Sequence, residues 1–408
     1  MLNKLRAELN NKGISGIVKT NILKHIMKNG SFMIPEIAES TGYSLTTIAK
    51  YVNELQEQGT VIELEHVASH GKGRRAVRYG ISLNSYYFMG VDIKTFELNM
   101  ALMDLTGNIV HIQRNNKFVF ENTRNKLEEI CDETKKFIDN LPDMDPEKIV
   151  SINMNISGRV DSLSGTSASV FNFEDMQTTP LAEFLSEKLG RAVFIENDTK
   201  AMAYGEYMSL PRQKYENILF VNIGWGLGLG IIIKGELYYG KNGYSGEFGH
   251  VNVFENNVLC HCGKIGCLET EVSGNAIHRK LIQKINEGES SLLAGKVNKG
   301  MRISTDDIIE AAEDEDPLCI DLISQTATEL GHQIAALINL FNPNLIVIGG
   351  NLSMASPYYF LQPLQIAVRK YSLKLMCQDV PIVTAKLGKD TGVIGACMIA
   401  RSKIFNTL

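Results

Sequence analysis

No stretch of about eighteen consecutive apolar residues occurs anywhere in the 408-residue chain, which excludes a helix that spans a membrane. The opening segment MLNKLRAELNNKG has neither the apolar core nor the small-residue cleavage site of a secretory signal, so a cytoplasmic location is expected. Tandem repeats, low-complexity tracts and heptad arrays are missing too, which removes solenoids and coiled coils from consideration. Apolar residues as such are not scarce. At 44% apolar and 21% charged, the chain can bury the cores of two or three ordinary globular domains.

Cysteine is sparse and unevenly placed. Cys131, Cys319, Cys377 and Cys397 are scattered through apolar context and read as small core residues, whereas Cys260, Cys262 and Cys267 crowd into eight residues. In a cytosolic chain such a cluster favours a metal over disulfides. Charge is also uneven. Residues 1–80 hold 11 Lys and Arg against 7 Asp and Glu, while the remainder holds 30 against 39. A basic first domain on an acidic body suits a polyanionic partner confined to one end.

Within residues 16–29, Ile17, Ile22, Leu23 and Ile26 recur at helical spacing before a stop at Lys28, Asn29 and Gly30. Pro35 suits the first turn of a short second helix over 34–40, and Gly42 can end it in the left-handed conformation. Ser44 can cap a third helix in which Leu45, Ile48, Val52 and Leu55 share one face. Gly59 ends that helix. Strands over 61–65 and 74–81 follow, separated by a turn over 69–73. This order of helix, tight turn, helix and basic hairpin is that of a winged helix-turn-helix over residues 1–82.

In that arrangement the third helix enters the major groove. Thr46, Thr47, Lys50 and Asn53 line its polar face and are candidates for base-edge or phosphate contacts, with Lys72, Arg74 and Arg75 of the wing reaching backbone or minor groove. A helical dimerisation module with an ordinary solvated face is the other reading. The tight turn, basic wing and charge contrast together favour double-stranded DNA as the partner.

After a junction at 81–85, strands are expected over 87–93, 96–104 and 109–120, then a helix over 122–140 and a strand over 149–156. Strands and helices alternate from there, including strands at 217–223 and 345–348 and a last helix over 393–404. Such alternation predicts an α/β body with largely parallel, buried strands.

His250 followed by Cys260, Cys262 and Cys267 supplies one imidazole and three thiolates within eighteen residues, enough to close a tetrahedral structural zinc site. Gly263 and Gly266 permit the sharp turns this needs. His261 is a rival fourth ligand, but its position between two ligand cysteines favours His250. Free buried thiols are the alternative.

The segment GEFGH over 246–250 and CHCGKIGCLE over 260–269, together with END over 196–198 and NIGWGLGLG over 222–230, resemble the signature motifs of the ROK family of repressors, open reading frames and sugar kinases. The similarity in order and spacing runs over residues 86–408. With a winged helix in front, the chain is similar to the xylose and N-acetylglucosamine repressor branch. The resemblance implies an actin-like, ribonuclease-H-like fold of two α/β lobes enclosing a sugar: a small lobe of about 86–196 plus 386–408, and a large lobe of about 197–385 carrying the zinc loop.

The resemblance further implies that Asp198 matches the general base of the family's kinases. Asn197, Glu247, His250 and Glu269 match residues that hold sugar hydroxyls, and Asn172 in the segment VFNF is added to them. Pyranose recognition asks for such carboxylate and amide groups. Two departures bear on mechanism. The family's kinases have a Gly-Gly-Thr loop after the first-strand Asp, whereas the segment GVDIKT over 90–95, containing Asp92, lacks those glycines. Trp225 stands where the kinases have Thr. The glycines at 224, 226, 228 and 230 are also compatible with a tight turn entering a strand.

A damaged phosphate cradle should cost phosphoryl transfer heavily, so ATP is not expected and Asp198 is expected to be vestigial. The leading expectation is a sugar-responsive regulator, most simply a repressor, that reads operator DNA as a dimer or tetramer. The alternatives are an ATP-dependent sugar kinase with an accessory DNA-binding domain, and a regulator controlled by a protein partner.

Overall fold

The computed structural model describes residues 13–67, 76–142, 144–173, 179–211 and 214–405. The wing residues Lys72, Arg74 and Arg75 lie outside these. The chain forms two compact units, one comprising residues 1–198 and 393–408 and the other residues 199–392. Among the described residues no helix is long and apolar enough to cross a membrane.

The first unit opens with α1 (Ile14–Asn29), β1 (Ser31–Phe32), α2 (Ile34–Thr41), α3 (Leu45–Glu57), β2 (Val61–Val67) and β3 (Ala76–Ile81). Each boundary has a local cause. Glu36 folds back on the Met33 amide at 2.8 Å to start α2, Gly42 ends it at φ 73°, and Ser44 accepts the Thr47 amide to cap α3. The three strands pair antiparallel in the order β1-β3-β2. A nearly buried Lys19 on α1 meets Glu54 on α3 at 3.0 Å.

Two residues assigned to apolar faces point elsewhere. Ile17 is 46% and Leu45 55% exposed. The core of α1 is instead Val18, Ile22, Leu23 and Ile26, and Tyr51 joins Ile48, Val52 and Leu55 on α3. Position N1 of a helix sits where the chain has only just turned, so Leu45 is not carried over the core with its periodic partners.

Behind this module lies a five-stranded sheet, ordered β10-β7-β4-β5-β6. Its members are β4 (Tyr87–Ile93), β5 (Leu98–Asp104), β6 (Ile109–Asn115), β7 (Ile149–Ile156) and β10 (Ala192–Asn197). The first three pair antiparallel, and β4, β7 and β10 run parallel. Helices α4 (Arg124–Asp139) and α5 (Leu181–Leu189) and a small hairpin, β8 (Val160–Asp161) with β9 (Thr166–Ser167), complete the connections. Strand β6 stops five residues before the expected end at 120, and β5 begins at Leu98 where 96 was expected.

The C-terminal helix, Thr391–Phe405, returns to the opposite face of the same sheet region. A Cβ at Gly90 would lie 2.5 Å from the Val393 carbonyl and 2.7 Å from the Cys397 amide, so only glycine allows this approach. That helix also joins sheet and winged helix in one core. Ala400, Ile404 and Phe405 pack with Phe88, Leu105 and Val150 and with Val18, Ile22, Phe32, Tyr79 and Ile81. The winged helix is therefore not strung on a linker. It shares buried apolar surface with the lobe that follows it.

The second unit begins in α6 (Asp198–Ser209) and contains a sheet ordered β13-β12-β11-β14-β15. Strands β11 (Ile218–Ile223), β14 (Leu345–Gly349) and β15 (Ile382–Thr384) run parallel, and β12 (Leu227–Ile233) and β13 (Glu236–Leu237) add antiparallel edges. The long helix Pro317–Phe341 and the helix Gly274–Asn286 bury Leu322, Ile323, Ile334, Ile277 and Leu281 against Val221, Leu229 and Ile348. Cys131, Cys319 and Cys397 are core residues as expected, but Cys377 is only half-buried.

Candidate functional site

On α3 the polar residues are presented to solvent: Thr46, Lys50 and Asn53 are exposed and Thr47 is half-buried. Their spacing places them on the face opposite Ile48, Val52 and Leu55. The Ser44 hydroxyl, which caps α3 by accepting the Thr47 amide, also lies 2.8 Å from both the Thr46 and Thr47 hydroxyls, so these oxygens already have a hydrogen-bond neighbour. Leu45, in the first turn of the same helix, is exposed as well. Sequence periodicity hid it by counting it with the core.

At the end of β10, Asn197 and Asp198 are set beside the turn after β7. Asn197 Nδ2 donates to the Gly158 carbonyl at 3.0 Å and to Asp198 Oδ1 at 3.2 Å, and the Ser157 hydroxyl donates to Asp198 Oδ2 at 2.9 Å. The Asp198 carboxylate is thus oriented by two neighbours from different elements. Asn172 follows Phe171, whose φ of 54° is unusual for a bulky residue, and whose amide donates to Asn122 Oδ1 at 2.7 Å. Asn172 is exposed, with Nδ2 3.5 Å from the Ala168 carbonyl.

Asp92, the first-strand carboxylate, is 2% exposed. It accepts from Asn155 Nδ2 at 2.9 Å, and Asn155 Oδ1 accepts from Asn153 Nδ2 at 3.0 Å. Burial raises its pKa above the ordinary carboxylate range, opposed by Lys94 and by the Asn155 hydrogen bond. Lys94 lies 3.9 Å from Asp92 and 3.0 Å from Glu97, so its charge faces two carboxylates.

In the second unit, the turn before Glu247 requires glycine: Gly246 has φ 86°, and a Cβ there would collide with the Leu229 carbonyl. Lys200, nearly fully buried on α6, donates to the Gly243 carbonyl at 2.9 Å and ties down the loop that leads to Glu247. Forty-three residues of separation left no sequence signal for this contact.

His250, Cys260, Cys262 and Cys267 come together, their ligand atoms all within 4.8 Å of one another. Cys262 Sγ and Cys267 Sγ are 3.6 Å apart, as are Cys260 Sγ and His250 Nδ1. A tetrahedral ion with metal–sulfur bonds of about 2.3 Å and metal–nitrogen bonds of about 2.0 Å has edges of about 3.5–3.8 Å. Both of these separations fall in that range, and the gathering of all four donors is compatible with a tetrahedral metal. The loop is folded for it: the Cys260 amide donates to the Lys264 carbonyl at 2.7 Å, and Gly263 and Gly266 take φ values of 86° and 73°. His250 Nε2 points the other way, 3.7 Å from Glu247 Oε2. One ring can thus serve the metal cluster and a polar partner.

His261, the rival ligand, lies 3.0 Å through Nδ1 from Glu269 Oε1 and 3.9 Å from Cys260 Sγ. Glu269 Oε2 accepts the Leu227 amide at 2.9 Å. Burial disfavours the charged form of Glu269, but the His261 and Leu227 hydrogen bonds and the two imidazoles outweigh it and hold its pKa below the usual range.

The glycine run has a packing cause. A Cβ at Gly226 would lie 2.8 Å from Glu269 Oε2, one at Gly228 would strike the Thr199 side chain, and one at Gly230 would strike Ala203 on α6. Trp225 stacks at a tilt on His278, ring centroids 5.5 Å apart.

Known proteins show the same organisation. The ROK family profile matches residues 88–403, and a winged helix-turn-helix DNA-binding profile matches residues 18–62. The xylose repressor of Caldicellulosiruptor bescii is 28% identical over 382 residues, covering 94% of each chain. The DNA-binding transcriptional dual regulator NagC of Escherichia coli K12 is 27% identical, covering 90% of this chain and 88% of its own. Among solved structures, a ROK family transcriptional regulator homologous to the E. coli MLC protein superposes with a TM-score of 0.78 at 28% identity over 97% of this chain and 98% of that one. A ROK family glucokinase from Streptomyces griseus, bound to glucose and AMPPNP, superposes with a TM-score of 0.67 at 28% identity over 78% of this chain and 99% of its own. The chain belongs to the ROK family, its actin-like sugar-kinase fold preceded by a winged helix-turn-helix.

Proposed function

We propose that this protein is a cytoplasmic, sugar-responsive repressor of carbohydrate-utilisation genes that reads a palindromic operator as a homodimer. The observation that carries this reading is the exposed polar face of α3, held in shape by its own cap, in a chain that also orients sugar-type hydrogen-bonding groups. From the resemblance to the family we assign Asn197, Asp198, Glu247, His250 and Glu269 to sugar hydroxyls, with Asn172 as a further amide. The full-length resemblance to a xylose repressor and to NagC supports the assignment. An effector releases DNA only through differential affinity for two arrangements of the dimer, for which a few kcal/mol suffices.

We assign His250, Cys260, Cys262 and Cys267 to a structural zinc ion. Three sulfurs and one imidazole suit zinc, and they leave no open position for substrate. The ion would order the loop carrying Glu269.

The test is binding to DNA from the gene's own upstream region and to genomic fragments, at two salt concentrations and with competitor DNA, before and after a sugar panel. Specific binding altered by one sugar is expected, and failure to bind any fragment specifically would overturn the regulator reading. Within that assay Asn53→Ala is expected to cost about 1–3 kcal/mol and to relax selectivity at one base pair, whereas Lys50→Ala weakens all sequences alike and lowers the salt slope by about one. Equal loss on operator and random DNA for Asn53→Ala would remove it from base readout.

A second reading, a working sugar kinase, is favoured by the oriented Asp198 carboxylate. Against it stand the buried, asparagine-bound Asp92 and the glycines that serve packing. ATP turnover with a hexose panel separates the two.

A further inference from the structure

We propose that His261 is a positioning residue for sugar recognition, fixing the carboxylate of Glu269 from its place in the metal loop. The proposal rests on the reading of Glu269 as a sugar-binding group. A carboxylate that must accept hydroxyl hydrogen bonds in one orientation has to be prevented from rotating, and Glu269 is held at both oxygens. Oε2 takes the Leu227 amide at 2.9 Å and Oε1 takes His261 Nδ1 at 3.0 Å. The backbone donor belongs to β12 and cannot be varied by substitution. The imidazole can.

Three further observations single out His261 over an ordinary surface histidine. Its ring packs edge-on against His250, centroids 5.0 Å apart and planes at 73°, so its orientation is set by a neighbour in the metal cluster. Its side chain is 72% exposed while that of Glu269 is 14% exposed, so it spans from solvent to a buried acceptor. Gly226 leaves room for the Glu269 carboxylate beside its Leu227 anchor, since a Cβ there would lie 2.8 Å from Oε2. Holding the loop in order thus holds His261, and His261 holds Glu269.

A charge-assisted hydrogen bond is stronger than a neutral one, and losing one from a half-enclosed carboxylate weakens whatever that carboxylate must grip. The experiment titrates the full chain, zinc-loaded, with D-glucose, D-xylose, N-acetyl-D-glucosamine and the 6-phosphates of the two hexoses by calorimetry. Wild type, Glu269→Ala, His261→Ala and His261→Asn are compared, and metal content and sugar-free DNA binding are measured for each. Asparagine places an N–H donor where Nδ1 stood.

The expected result is sugar affinity lowered about tenfold or more in His261→Ala and restored to within about threefold in His261→Asn, with metal content and DNA binding unchanged. Unaltered affinity in His261→Ala, or no rescue by asparagine, overturns the proposal. Loss of zinc in His261→Ala also overturns it, by making His261 a ligand. Wild-type affinity in Glu269→Ala, or no sugar binding by wild type, instead brings down the reading of Glu269 on which the proposal stands.

Discussion

Phe405→Ala is expected to destabilise the first unit by about 3–5 kcal/mol, the usual consequence of emptying a fully buried aromatic position, and with it to weaken DNA binding. Phe405 is 0% exposed and its ring meets Phe88 edge-on with centroids 6.2 Å apart. The same cluster contains Val18, Ile22 and Tyr79, so a cavity near the last residue of the described chain is felt in helices almost four hundred positions earlier. Native domains hold about 5–15 kcal/mol in total, so a loss of this size removes much of the reserve. Thermal denaturation by circular dichroism and operator titration measure the two effects together. Ile366→Ala, at a site 69% exposed in the second unit, is the control and should change stability by no more than about 0.5 kcal/mol. If Phe405→Ala melts and binds DNA like wild type, the shared core does not couple the module to its lobe.

On the proposed zinc assignment, treatment with a chelator, or replacement of Cys267 with serine, is expected to leave a protein that binds DNA and no longer answers to sugar. Sugar affinity should fall by about tenfold or more, because a structural metal site contributes folding energy to the loop it closes. Glu269 lies two residues beyond Cys267, and His250 sits three residues beyond Glu247, its Nε2 turned toward that carboxylate. The winged helix belongs to the other unit, so sugar-free DNA binding should survive. Metal analysis, calorimetry with the sugar panel and DNA titration on the same sample decide the matter. A chelated protein that still releases DNA on sugar addition would show that the metal loop has no part in effector recognition.

Local rules carried far in the first eighty residues because the determinants there are local. Gly42, Ser44 and Pro35 act within one turn of themselves, and each sits in the cap or turn its chemistry demands. The gathering of His250, Cys260, Cys262 and Cys267 was legible for a similar reason: all four fall within eighteen residues. Legibility failed where tertiary geometry overrides periodicity. Ile17 and Leu45 fit an apolar stripe on paper yet face solvent, and Ser31–Phe32 is too short a strand to announce itself without β3 beside it. The Asp92–Asn155–Asn153 chain and the Lys200–Gly243 contact join strands and loops far apart in sequence, and no spacing rule connects them.

The glycines leading into and along β12 have a consequence for how such chains change over time. Cβ atoms at Gly228 and Gly230 would run into Thr199 and Ala203 and admit no side chain, one at Gly226 would meet only the carboxylate end of Glu269 at 2.8 Å, and at Gly224 the nearest atom to a Cβ would be 3.8 Å away. A chain that abandons phosphoryl transfer is free to lose Gly224, can lose Gly226 where the Glu269 side chain gives way, and is held to Gly228 and Gly230 by packing. The pattern that looks like a nucleotide signature can therefore outlive the nucleotide, preserved as masonry after its chemical use has gone.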